Sequence, residues 1–185
     1  KNLGISITDH ENYVVEKENY KDAYSRLDTN TKIKEFKRLI NFYGSIGVRD
    51  LLLDDILRKI GIKKKVKDLY LSVKEIQEIS KMGFEIGSHG VSHTLLSRLD
   101  KNYQREELYN SKKLLEELTS KNINSFCYPY GGKKSYNKHT LKLLREVAYH
   151  NAISVERKDI CKEAIKNNLF EIPRYDCNQI NDLFF

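Results

Sequence analysis

Gly83-Phe84-Glu85-Ile86-Gly87-Ser88-His89-Gly90-Val91-Ser92-His93 is the stretch from which the rest of this 185-residue chain is read. Phe84 and Ile86 alternate with polar residues, as in a short strand, and the run then opens into glycines, serines and two histidines. A strand would thus deliver His89, and the loop beyond it carries His93 four positions later. Neutral imidazole suits zinc, and a catalytic zinc site adds a third protein ligand and leaves one position to water. An HxxxH spacing also arises by chance, in which case the two rings are polar loop residues that hydrogen-bond locally.

Upstream of this stretch the punctuation of a helix is clear. Ser72 is an N-cap, Glu75 completes a capping box, Leu71 and Ile76 can form a hydrophobic staple, and Gly83 suits the left-handed residue after the helix. Ile76 and Ile79 give its inner face. Downstream, after Leu95 and Leu96, the spacing predicts a helix from about Asn102 to Ser120 that buries Leu108, Leu115 and Leu118. Ser125 to Tyr128 reads as a strand, Thr140 to Val147 as a helix and Ala152 to Val155 as another strand. Strands alternating with helices imply a parallel sheet or barrel, in which functional residues gather at the C-terminal ends of strands. His89 and the run Tyr128-Pro129-Tyr130-Gly131 both fall at such ends. Alone, that second run reads as a tight turn with half-buried aromatics.

Toward the N-terminus, Leu3, Ile5 and Ile7 alternate as in a short strand, followed by Asp9 and His10. Residues 11–30 are polar and irregular. From Thr31 the period turns helical, with Ile33, Phe36, Leu39, Ile40 and Tyr43 on one face and Gly44 at the stop. A second helix is expected from about Val48 to Ile60, ended by Gly61 and followed by the polar link Lys63-Lys64-Lys65. Residues 31–66 therefore read as a helical insertion within a single domain spanning 1–185, a length that can bury one substantial core.

The composition narrows the function classes. No apolar stretch is long enough to span a bilayer, and no signal-peptide pattern opens the chain. Three scattered cysteines, Cys127, Cys161 and Cys177, make neither a disulfide framework nor a Cys-rich zinc site. The odd number favours a reducing compartment, so a cytoplasmic location is expected; the chain opens at Lys1 rather than methionine, which leaves room for a removed upstream signal. The 33 basic residues outnumber the 26 acidic ones, giving a net charge of +7. That charge alone would suit a nucleic-acid binder, yet no basic stripe interleaved with aromatics is present, and a solvated lysine-rich surface accounts for it.

Taken together, Gly83 to His89, His93, Leu95, the polar helix that follows and Phe126-Cys127-Tyr128-Pro129-Tyr130-Gly131 resemble the polysaccharide deacetylases, the NodB-like carbohydrate esterases. The similarity is clearest from about Tyr70 to Arg174. It implies an α/β fold, a (β/α) barrel of the polysaccharide-deacetylase type, incomplete at its N-terminus and carrying the helical insertion. It implies metal-dependent hydrolysis of an N-acetyl or O-acetyl group on a carbohydrate, with a divalent metal, zinc foremost. His89 and His93 match the family's two histidine ligands. Tyr130 matches the residue whose main-chain N–H supports the oxyanion, with Pro129 shaping the loop.

The chain also departs from that pattern. The family's first strand ends in Thr-Phe-Asp-Asp-Gly, and the nearest match is Ile5-Ser6-Ile7-Thr8-Asp9, with a single aspartate. A rival alignment, the one favoured, makes Leu3 to Thr8 the second family strand and places the acidic pair upstream of Lys1. Cys127 stands where many members carry arginine, and a thiol supplies neither the fixed charge nor the fork of donors. Tryptophan is absent, and so is the late Leu-x-His element. Arg174 resembles a late arginine of some members and equally suits a surface position after a strand. His10, His139 and His150 match no family position, and Cys161 and Cys177 read as ordinary thiols. These departures leave a second reading open, a non-catalytic deacetylase-like module for glycan binding or assembly.

Overall fold

The computed structural model describes residues 18, 20–23, 25, 30–44, 46–61 and 69–175. The expected strand at Leu3 to Thr8, with Asp9 and His10, lies outside them, as do Lys63-Lys64-Lys65 and Cys177. The chain divides into two compact units, Lys1–Val66 and Lys67–Phe185.

In the first unit, helix α1 (Thr31–Arg38) starts at Asn30, whose side chain accepts from the Lys32 N–H at 2.8 Å. The single helix expected to reach Gly44 instead widens into a π-helical turn, Leu39–Tyr43, closed by the Gly44 N–H on the Leu39 carbonyl at 2.9 Å. The wider turn rotates the inner face. Phe42 and Tyr43 are buried, with Phe42 stacked on Tyr20 at 4.5 Å between ring centroids. Ile33 and Phe36, expected inside, stay 48% and 41% exposed. Helix α2 (Ile46–Lys59) follows, and Gly61 takes the left-handed conformation after it.

The second unit opens with α3 (Val73–Lys81), where the Ser72–Glu75 capping box forms as expected. Leu71 remains exposed and so covers little of Ile76. A 3-10 turn, Leu96–Arg98, leads to α4 (Lys101–Thr119), started by the Asp100 carboxylate on the N–H groups of Asn102 and Tyr103. Then come β1 (Ser125–Cys127), α5 (Lys138–Glu146), β2 (Asn151–Ile153) and α6 (Lys162–Asn167). Helix α5 starts two residues earlier than the periodicity suggests, because Asn137 caps the N–H groups of His139 and Thr140.

β1 and β2 are parallel, with Phe126 opposite Ala152 and Cys127 opposite Ile153. The strand expected over Phe84 to His89 pairs at one point, a parallel bridge from Ser88 to Phe126, and Ile172 bridges Ile153 on the far side. Four parallel segments therefore lie in the order Ser88, β1, β2, Ile172, with α4, α5 and α6 on the successive crossovers. Phe126 and Ala152 project into a core with Leu96, Leu108, Leu143, Leu144 and Tyr149. Burying one such leucine or phenylalanine contributes roughly 1.5–3 kcal/mol. Among the described residues, no helix is long and apolar enough to cross a membrane.

Candidate functional site

A strand alternates its two faces, and the sheet separates its side chains accordingly. Phe126, Ala152 and Ser88 turn toward the helices and are buried, while Ser125, Cys127 and Ile153 lie on the other face. With Glu85, Gly87 and His89 these residues line an open groove of about 390 Å³. His89 therefore stands at the C-terminal end of the sheet, on its open side.

His89 is exposed, but its ring is not loose: Nδ1 lies 2.6 Å from the carbonyl oxygen of Cys127. A carbonyl only accepts, so Nδ1 carries the proton and donates. In the neutral ring the lone pair then belongs to Nε2, the nitrogen a metal needs. The arrangement matches the outer-shell bond that usually orients a ligating histidine.

The second imidazole is close. The rings of His89 and His93 are 4.9 Å apart between centroids and inclined by 71°. Two imidazoles on one tetrahedral zinc, with Zn–N of about 2.0–2.1 Å, have centroids roughly 5 Å apart, so the spacing of this pair is the one such a site needs. The Tyr130 ring meets His93 edge-on at 4.8 Å. Both His93 (φ 52°) and Tyr130 (φ 62°) are left-handed. For an L-residue this costs roughly 1–2 kcal/mol each, so the surrounding structure must hold both loops in shape. Gly131 follows at φ 69°, and a Cβ there would sit 2.2 Å from Cγ2 of Val155. The Val155 N–H donates to the Gly131 carbonyl at 2.8 Å, so the close approach ties the Tyr130 loop to the end of β2.

The structure also adds residues that the sequence reading did not single out. Oε2 of Glu107, on α4, accepts from the N–H groups of Val91 (2.8 Å) and Ser92 (3.0 Å). The Ser111 hydroxyl donates to the Glu107 carbonyl, and the Ser88 hydroxyl donates to Ser111 at 2.7 Å. A signal for them existed. Gln104, Glu107, Leu108 and Ser111 follow the i, i+3, i+4, i+7 spacing of an inward stripe, yet three of the four are polar. Polar residues at core positions need partners, and here two of those partners are on the histidine strand and loop.

Other candidates stand as follows. Burial on the groove floor pushes the Cys127 thiol up, with the Arg174 guanidinium opposing that shift in part. Cys127 is thus a neutral group where the resemblance expects a cation. His139 lies in the first turn of α5 and His150 precedes β2, both exposed. Among the described residues no cluster of three or more histidine, cysteine, aspartate or glutamate side chains could hold a metal. The two histidines come together; Asp9, the candidate acid, lies outside the described residues.

Comparison with known proteins bears on the family and the fold. A family model described as polysaccharide deacetylase matches residues 58–152. The protein YxkH of Bacillus subtilis (strain 168), named among the polysaccharide deacetylases, is 28% identical over 146 residues, 74% of this chain and 50% of its own length. The chain thus spans about half the length of that curated relative. Solved structures share the fold, two deacetylases among them. The Streptococcus pyogenes deacetylase PplD in complex with acetate has a TM-score of 0.52 and 24% identity, covering 57% of this chain and 44% of that one. BC0361, a polysaccharide deacetylase from Bacillus cereus, has a TM-score of 0.50 and 24% identity, covering 57% of this chain and 32% of that one. The mixed α/β architecture is the common element.

Proposed function

Since the chain belongs to the polysaccharide deacetylase family, we propose that it forms part of a hydrolase that removes an N-acetyl or O-acetyl group from a carbohydrate. The four parallel segments read as part of a (β/α) barrel of that type, with the sugar lying across the groove beside His89. His89 and His93 would hold a divalent cation, zinc by the chemistry of the donors. The observation that carries the reading is the Nδ1 bond of His89 to the Cys127 carbonyl, which leaves Nε2 for a metal, with a second imidazole ring, His93, 4.9 Å away between centroids. When bound, the cation supplies Lewis acidity toward the acyl carbonyl and makes water a nucleophile near neutral pH. Tyr130, beside His93, would offer its main-chain N–H to the oxyanion. Asp9, at the end of the alternating Leu3, Ile5, Ile7 run, is the candidate for the acidic group. A second reading, a non-catalytic glycan-binding module, is favoured by one observation: Cys127 puts a neutral thiol on the groove floor where the resemblance expects arginine.

Zinc calorimetry, acetate release from chitooligosaccharides and binding of the same sugars separate these readings. Zinc binding lost in His89→Ala and His93→Ala, with acetate release that needs both histidines, is the result expected of an enzyme. Sugar binding unaffected by chelator and by His89→Ala, with no acetate released, would favour the binding module. Zinc binding unchanged by both substitutions would overturn the metal site.

A further inference from the structure

We propose that Glu107 is a positioning residue, clamping the loop between His89 and His93 so that both imidazoles stay within reach of one metal ion. This inference rests on the metal reading of the site. Val91 and Ser92 sit midway between the two histidines, and their N–H groups converge on a single carboxylate oxygen of Glu107 at 2.8 and 3.0 Å. Bonds to an ionised acceptor are stronger than neutral ones, and successive main-chain donors on one anion fix a local backbone shape.

The loop has need of such a restraint. Gly90 (φ 80°) and His93 (φ 52°) are both left-handed, and the second is not a glycine. A Cβ on Gly90 would lie 3.0 Å from Glu107 Oε2, so a side chain there would crowd the carboxylate. The other end is tied to the same stretch of α4. Ser88, immediately before His89, donates to Ser111, and Ser111 donates to the Glu107 carbonyl. One stretch of helix therefore holds the chain both before His89 and between the two ligands. Glu107 acts through the histidines and does not itself touch the groove.

The test combines amide hydrogen exchange on the metal-free chain with zinc calorimetry, in the wild type, Glu107→Ala and Glu107→Gln. In Glu107→Ala the Val91 and Ser92 amides lose protection while those of α5 keep theirs, and zinc affinity falls about 10–100-fold, as for a lost outer-shell partner. Glu107→Gln presents a carbonyl oxygen at the same place, so it retains the protection and most of the affinity. Gly90→Ala, which leaves the carboxylate but crowds it, weakens zinc in the same direction and covers the case in which Glu107→Ala fails to fold. Unchanged exchange at Val91 and Ser92, or wild-type zinc affinity in folded Glu107→Ala, would overturn the proposal while leaving the metal site standing. A wild-type chain that binds no zinc would overturn the metal reading. Exchange then decides the clamp by itself: selective loss at the two amides keeps it, and uniform exchange removes it.

Discussion

The His89 ring is oriented by the main chain of Cys127, not by its side chain: Nδ1 donates to the Cys127 carbonyl at 2.6 Å. Strand β1 therefore determines which nitrogen of His89 faces outward, and it does so with an atom no substitution removes. Nitrogen NMR of the neutral ring should show the proton on Nδ1 in the wild-type chain and equally in Cys127→Ser. A proton on Nε2 in either protein would break the link between β1 and the ligand face.

Among the described glycines, Gly131 is the one whose replacement should cost most. Its φ of 69° disfavours a side chain, and a Cβ would lie 2.2 Å from Val155 Cγ2 and 2.9 Å from the Val155 main-chain nitrogen. Backbone cannot step aside as a flexible side chain can. Gly131→Ala should therefore destabilise the fold by roughly 3 kcal/mol or more, adding a left-handed penalty to overpacking. Gly132, one residue on, has nothing within 4 Å of a Cβ, so Gly132→Ala should stay within about 0.5 kcal/mol. Denaturant midpoints of the two variants compare them directly, and equal losses would refute the packing argument.

The core should also set the alkaline limit of the protein. Burial pushes the phenols of Tyr128, Tyr136 and Tyr149 up; Glu171 adds to the shift at Tyr136, whose hydroxyl donates to its carboxylate at 2.9 Å. The folded chain thus keeps protons that the unfolded chain releases near pH 10, and stability must fall as pH rises above about 10. Below that value the contribution is fully present. Urea midpoints between pH 8 and 11 should decline at the upper end, and Tyr128→Phe should flatten the decline. A profile flat to pH 11 would contradict the burial of these phenols.

Much of this arrangement was legible in the sequence because it is local. The Ser72–Glu75 box, the strand around Phe126 and the two histidines each follow from neighbours a few residues apart. What escaped is long-range or depends on one extra residue in a turn. Nothing near Glu107 says that its carboxylate will meet Val91 and Ser92, sixteen and fifteen residues away, apart from its place on a stripe that ought to be apolar. Nor does the helical period announce the π turn at Leu39–Tyr43, which turns Phe42 inward and leaves Phe36 partly outside. Periodicity assumes a constant angle per residue, and the widened turn breaks that assumption.

The capping box at α3 offers a test of local electrostatics. The Ser72 N–H donates to Glu75 Oε2 at 2.7 Å, and the Ser72 hydroxyl does so at the same distance, holding the carboxyl below the usual carboxylate range. A carboxyl lowered in the folded state stabilises the fold fully above its unfolded value of about 4.3, and that contribution fades as pH falls through the folded one. Glu75→Gln should therefore weaken the protein at neutral pH and converge with the wild type in acid. Ser72→Ala removes the hydroxyl but keeps the N–H. It should cost about 1 kcal/mol, and the Glu75 carboxyl should move only part of the way back toward its ordinary range. Carboxyl NMR titration of the two proteins measures that movement, and a full return in Ser72→Ala would show that the hydroxyl, not the main chain, carries the bond.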